Sequence, residues 1–306
     1  MRIAFLGTSS FAVPALRALT QRHTIALVVT QPDRPSGRHA VVVPPPVKRA
    51  ALEAGLPISQ PERVNGEDVV GQLRDSRPDV LVVAAYGQLL RPAVFGLAPL
   101  GAINIHASLL PRYRGAAPVH WAIVNGEETT GITTFVIDRG MDTGPILLSR
   151  PLSIGADETA GELEARLALL GADVMVETLD RLASGTLSPA PQPDGATMAP
   201  KLARDDGHVD WAAPARSVHN LVRGMTPWPG AWTTLDGERV KIHRAALTHI
   251  AAGPLPPGAL GPQESARLLV ACNDLLLEVL EIQREGRART SGSEFLNGLR
   301  RGALFG

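Results

Sequence analysis

The stretch Gly101–Gly115, GAINIHASLLPRYRG, holds the residues best suited to chemistry. It opens as a short apolar strand interrupted at Asn104 and again at His106, and a spacing of two puts both side chains on one face of a pleated backbone. Ser108, Leu109, Leu110 and Pro111 then end the strand in a loop, because a proline there cannot continue a ladder. Asn104 and His106 are thereby expected at the carboxyl end of a strand, where open α/β sheets bind their ligands. A later glycine-flanked loop, Asp138–Gly144 (DRGMDTG), adds Asp142, a carboxylate able to orient or charge an imidazole. Amide, imidazole and carboxylate together suit acyl transfer, which needs a donor for the oxyanion of a tetrahedral intermediate and a base for the attacking group's proton. The same residues also fit a structural role, with Asn104 and His106 satisfying each other and the backbone and Asp142 capping its turn.

Other chemistries find less support. The first strand-to-helix turn, FLGTSSF, has Gly7 alone, and no acidic residue closes the second strand at Thr30, so the three-glycine dinucleotide fingerprint is absent. The histidines show no HExxH-type spacing, with His23, His39 and His249 isolated, and no metal site is expected. The single cysteine, Cys272, excludes an intrachain disulfide and reads as a small core residue. A formal net charge of zero, 44% hydrophobic residues and 20% charged residues exclude a disordered chain and argue against a strongly basic nucleic-acid module. The opening MRIAFLGTSS reads as a strand and turn, not a signal peptide, and no run approaches the roughly 18 apolar residues of a membrane span. The expectation is a cytoplasmic protein without membrane attachment.

Positioning the polar trio requires a sheet, and 306 residues suffice for two domains. Strands at Arg2–Leu6, Thr24–Thr30, Asp79–Ala84 and Thr130–Ile137 alternate with helices at Phe11–Gln21, Val47–Ala54, Gly66–Asp75, Ala117–Asn125 and Glu162–Leu182. That alternation predicts an α/β fold with a mostly parallel sheet. Gln31–Pro46, QPDRPSGRHAVVVPPP, reads as a proline-rich loop too long for a mere connector. From Ser184 to Pro200 the chain is rich in Pro, Gly, Ser and Thr, the composition of a linker. Beyond it, strand-like Ala231–Leu235, Val240–Arg244, Leu268–Cys272 and Leu275–Ile282, with helices at Pro214–Arg223 and Ser293–Arg301, predict a small β-barrel. The expected division is a catalytic domain over 1–183, a linker over 184–203 and a barrel over 204–306. Trp228–Trp232 reads as core where a barrel meets the sheet domain, with base stacking the alternative.

Asn104, His106, Ser108–Pro111, Gly115 and Asp142 follow the pattern NxHxSLLPxxxG with a later DxG, which resembles the folate-dependent formyltransferases. The similarity is fullest to the methionyl-tRNA formyltransferase family, through GTSSFAVPAL, QPDRPSGR, AAYGQLL, RYRGAAPVHWAI, GMDTGPIL, KLARDDGHVDW and TPWPGAW. The resemblance implies a Rossmann-like formyltransferase sheet domain followed by an OB-like β-barrel that helps hold tRNA. It implies transfer of a formyl group from 10-formyltetrahydrofolate, a substrate rather than a bound cofactor, to the α-amino group of methionine on initiator methionyl-tRNA by a monomeric enzyme. Carried over, Asn104, His106 and Asp142 become the catalytic trio, and Ser108, Leu109, Leu110 and Pro111 part of the folate site with Tyr86 and Gly87 nearby. Arg38 becomes a tRNA contact, and Arg34 shares its loop, whose chemistry suits an RNA end. Where that family carries lysines after the loop's Gly-Arg, this chain has His39, Ala40, Val41 and Val42, which shifts the grip on RNA to the arginines. Sugar-nucleotide N-formyltransferases share the trio and are the alternative reading; a non-catalytic tRNA- or folate-binding protein is a third.

Overall fold

Continuous apolar runs form the centre of the first sheet in the computed structural model, which describes residues 1–36, 41–262, 266–299 and 303–306. Val80–Ala84 is buried at every position, as is all of Arg2–Gly7 except its first residue, the signature of strands covered on both faces. Arg2–Gly7 pairs in parallel with Thr24–Val29 on one side and Val80–Ala84 on the other. Thr24–Val29 continues in parallel to Ile58–Ser59, and Val80–Ala84 to Ala102–His106. The winding therefore reverses at Arg2–Gly7, and a crevice opens beyond the carboxyl ends of its strands. Thr129–Val136 then runs antiparallel to Ala102–His106, and Ile146–Ser153 forms the outer edge.

The strand carrying Asn104 and His106 is pressed onto a helix through the residue between them. Ile105 points away from the polar face, toward the helix Ala160–Ala183, where a side chain at Gly171 would bring a Cβ to 2.9 Å from Ile105 Cγ2. A glycine in a helix interior costs about 1 kcal/mol relative to alanine, and here it permits the close approach. Beyond the strand, Thr133 fixes the turn. It lies opposite His106 in the ladder and is fully buried. Its hydroxyl donates to the Ser108 carbonyl at 2.7 Å and accepts the Leu110 N–H at 3.1 Å. Ser108 Oγ in turn donates to the Arg112 carbonyl at 2.7 Å.

Packing divides the chain into two units that interleave in sequence: 1–115, 130–152 and 164–198, and 116–129, 153–163 and 199–306. The second unit contains an antiparallel sheet in the order Ala231–Leu235, Glu238–Ala251, Leu275–Arg284, Leu269–Ala271, with Thr290–Ser291 beside Leu275–Arg284. Bridges Leu260 to Val270, Ala259 to Leu304 and Leu235 to Phe305 complete a ring, so the sheet closes into a barrel. Val240, Ile242, Leu277, Val279, Ile282 and Phe305 fill it, with Trp211 donating its indole N–H to Thr233 Oγ1 at 3.0 Å.

Four expectations change. The loop Gln31–Pro46 contains an antiparallel pair, Arg34–Ser36 with Val41–Val43, because the VVV run has strong strand preference. The linker is partly structured: Ala190 bridges Ile146, and Met198–Ala199 is a short strand. The last helix is shorter, Gly292–Asn297, begun by a capping box between Ser291 and Glu294; its expected end at Arg301 lies outside the described residues. Trp228 is not core but 52% exposed, and Trp232 packs outside the barrel core between His208 and the Arg239 guanidinium, 3.6 Å from the ring centroid.

Replacing Thr133 with valine conserves shape and strips the Ser108 carbonyl and Leu110 N–H of their shared partner. The expected loss is about 2 kcal/mol or more in urea unfolding; an unchanged midpoint would remove Thr133 as the fastening of this turn. Cys272 is 1% exposed, and burial, reinforced by the nearby Asp274 carboxylate, pushes its thiol up to about 12. A disulfide reagent at pH 8 should therefore leave it unlabelled in the folded protein and react once it unfolds.

Candidate active site

Asn104 and His106 lie two residues apart on Ala102–His106, the former half-buried and the latter 5% exposed. His106 Nε2 lies 2.9 Å from the Tyr113 carbonyl oxygen. A carbonyl only accepts, so Nε2 carries the hydrogen and Nδ1 is the nitrogen left to take up a proton. Nδ1 lies 3.6 Å from Asp142 Oδ2, and the ring packs edge-on to Phe135. Asn104 is placed differently. Its amide has no hydrogen-bond partner among the described residues.

Asp142 is reached by an unusual backbone, φ +54°, in the left-handed region that side chains rarely adopt. Its Oδ2 accepts the Gly115 N–H at 2.8 Å, so a fixed donor holds the same oxygen that faces His106. The loop before it is wound by Asp138, whose Oδ1 accepts from Gly140 N at 3.0 Å and from Thr143 Oγ1 at 2.6 Å. At Gly144 a Cβ would sit 1.7 Å from the Val136 carbonyl oxygen, so only glycine passes there. The amide nitrogen of Gln192 donates to the carbonyls of Asp142 and Gly144, each at 2.8 Å, and its Oε1 accepts from Arg114 Nε at 3.1 Å and Nη2 at 2.6 Å.

The sequence-stated trio is thus brought together as far as His106 and Asp142 are concerned, with Asn104 on the same strand face. Ser108, Leu109, Leu110 and Pro111 form the turn that follows, buried apart from half-buried Leu109. Tyr86 is split: its side chain is buried in an apolar cluster that includes Val29, Val64 and Val94, while its carbonyl accepts from Thr8 Oγ1 at 2.8 Å and Gln31 Nε2 at 3.3 Å. Burial pushes its phenol up to about 12. Gly87 follows with φ +92°, exposed. Arg34 is exposed and ion-paired with Glu62; Arg38 lies outside the described residues, as do His39 and Ala40. Sequence reasoning missed Gln192 and Thr133. Gln192 sits in a stretch whose composition signals a linker, and Thr133 in an apolar strand; neither has a local motif to mark it.

Comparison with known proteins identifies the family. Residues 1–179 match the formyl transferase family, and residues 201–300 match the formyl transferase C-terminal domain. A methionyl-tRNA formyltransferase of Solibacter usitatus is 49% identical over 302 residues, covering 98% of this chain and 96% of its own. Among solved structures, the sugar 3N-formyl transferase WlaRD superposes with a TM-score of 0.68 at 17% identity, covering 94% of this chain and 99% of its own. The methionyl-tRNA formyltransferase of Clostridium thermocellum gives 0.57 at 16% identity over 81% of this chain and 94% of its own. At such identities the two structures attest the fold alone. With both parts of its sequence matched, and nearly half its residues shared with a relative over almost the whole length, the chain belongs to the formyl transferase family.

Proposed function

We propose that the protein transfers the formyl group of 10-formyltetrahydrofolate to the α-amino group of methionine on initiator methionyl-tRNA, with Asn104, His106 and Asp142 carrying the chemistry. The observation that supports the site most strongly is the pairing on one strand face of an amide without a partner among the described residues and an imidazole whose free nitrogen faces a carboxylate. The amine attacks the formyl carbon, and the carbonyl oxygen gains charge that the Asn104 amide N–H groups meet. His106 Nδ1 takes the amine's proton, and the imidazolium so formed is stabilised by Asp142. The proton passes to the folate nitrogen as the carbon–nitrogen bond to it breaks, so the formyl group moves without a covalent enzyme intermediate.

In this reading residues 1–183 are the catalytic domain, 184–203 the linker and 204–306 the tRNA-binding barrel. The turn Ser108–Pro111 and the backbone of Tyr86 and Gly87 border the folate site, and Arg34 and Arg38 meet the tRNA. The enzyme works as a monomer in the cytoplasm, with the folate as a substrate rather than a tightly bound cofactor. Among the described residues, no helix is long and apolar enough to cross a membrane.

Formyl transfer to charged initiator Met-tRNA, run beside an amino-sugar nucleotide, tests substrate and site together. Product is expected on Met-tRNA alone. Asn104→Ala should lower turnover on the order of a hundredfold, and His106→Ala by roughly a hundredfold or more. Product on the sugar alone would transfer the chemistry to the sugar-nucleotide reading, whereas Asn104→Ala within about threefold of wild type would remove the oxyanion role.

A further inference from the structure

The carboxylate that serves His106 is held from two directions. From one side Gly115 N–H fixes Oδ2. From the other, a single amide group holds the backbone: Gln192 Nε2 donates both its hydrogens, one to the Asp142 carbonyl and one to that of Gly144, each 2.8 Å away. Asp142 itself stands at φ +54°, a conformation that a non-glycine residue keeps only where its surroundings over-determine it. Gln192 is itself anchored, because its Oε1 receives both Nε and Nη2 of Arg114. Arg114 immediately precedes Gly115, so the anchor and the donor to the carboxylate are adjacent in the chain. A primary amide suits this place because it offers two donors and an acceptor on one planar group; a carboxylate offers no donor and an ammonium no acceptor.

We infer that Gln192 is a positioning residue for the transfer, a clamp that keeps Asp142 in the left-handed conformation from which its carboxylate faces His106. This inference rests on the roles given to His106 and Asp142 above. At 3.6 Å the carboxylate stands just beyond hydrogen-bonding distance of Nδ1, so a small displacement of the loop changes the partnership.

The test compares Gln192→Glu, which keeps length and the acceptor for Arg114 but loses both donors, with Gln192→Ala, Asp142→Asn and the double variant Gln192→Ala with Asp142→Asn. Both Gln192 variants should lose on the order of 10- to 100-fold in kcat, with KM for folate and Met-tRNA within about twofold. The 15N resonance of His106 Nδ1 should move in both as it moves in Asp142→Asn. The double variant should be little slower than Asp142→Asn alone, since the clamp has nothing left to hold. Should Gln192→Ala fail to fold by its thermal midpoint, Gln192→Glu carries the decision. A kcat within twofold of wild type in Gln192→Glu, an unmoved His106 resonance, or full multiplication of the two losses would overturn the inference. Wild-type turnover by both His106→Ala and Asp142→Asn would instead overturn the reading of the site itself, and the clamp with it.

Discussion

An imidazole that is 5% exposed among apolar strands is tolerable only where its nitrogens have fixed counterparts, and much of the irregular backbone around the candidate site answers that requirement. Tyr113, Gly115 and Asp142 all take positive φ, at +60°, +119° and +54°. Each brings one group to bear: the Tyr113 carbonyl on Nε2, the Asp142 carboxylate opposite Nδ1, and the Gly115 N–H behind that carboxylate. Two of these conformations, at Tyr113 and Asp142, are ones that side chains rarely adopt, while Gly115 takes its own without strain; such strain is commonly stored at functional sites. The regular strand supplies the opposite quality. It fixes Asn104 and His106 relative to each other through the pleat alone, and Gly171 lets a helix hold that strand from behind.

The parts of this arrangement that follow from local pattern were legible. Asn104 and His106 interrupt an apolar run at a spacing of two, and the proline that ends the strand is visible in sequence; the strand Ala102–His106 lies there in the structure. The glycines around Asp142 mark its loop for the same reason, since tight turns demand them. What depends on distant partners was not legible. Gln192 acts on Asp142 from 50 residues away, in a stretch whose composition describes a linker equally well. Ile146–Ser153 was missed because exposed polar residues break its apolar pattern. Trp228 and Trp232 were placed in a core on hydrophobicity, yet a large aromatic ring can also be covered by a guanidinium, as Arg239 covers Trp232.

In the proposed mechanism the polar trio constrains the reaction more than the acceptor. An amide for the oxyanion and a base for the amine serve any primary amine brought to the formyl carbon, and one fold hosts several acceptors. A sugar formyl transferase and a methionyl-tRNA formyltransferase both superpose on this chain, with TM-scores of 0.68 and 0.57, as likenesses of fold alone. Extended identity across both parts of the chain, rather than the trio, separates them. The two packing units interleave in sequence, and Trp121 and Val124 of Pro118–Val124 pack in one cluster with Leu202 and Met225 of their own unit.

The ring of the second unit has a temporal side. Ala231–Leu235 is covered on its outer edge at Trp232 by His208 and Val209 and at Thr234 and Leu235 by Gly306 and Phe305, and Thr233 Oγ1 meets the Gly306 carbonyl 73 positions downstream. Contacts of such long separation are slow to form. On a growing polypeptide, the Trp232 end of that edge finds its partner, His208–Val209, already made, while the Thr234–Leu235 end waits for Phe305 and Gly306. An open strand edge is a template for pairing with neighbouring chains. Until that end is covered, a short stretch of strand edge, and not the whole strand, is open to a neighbouring chain.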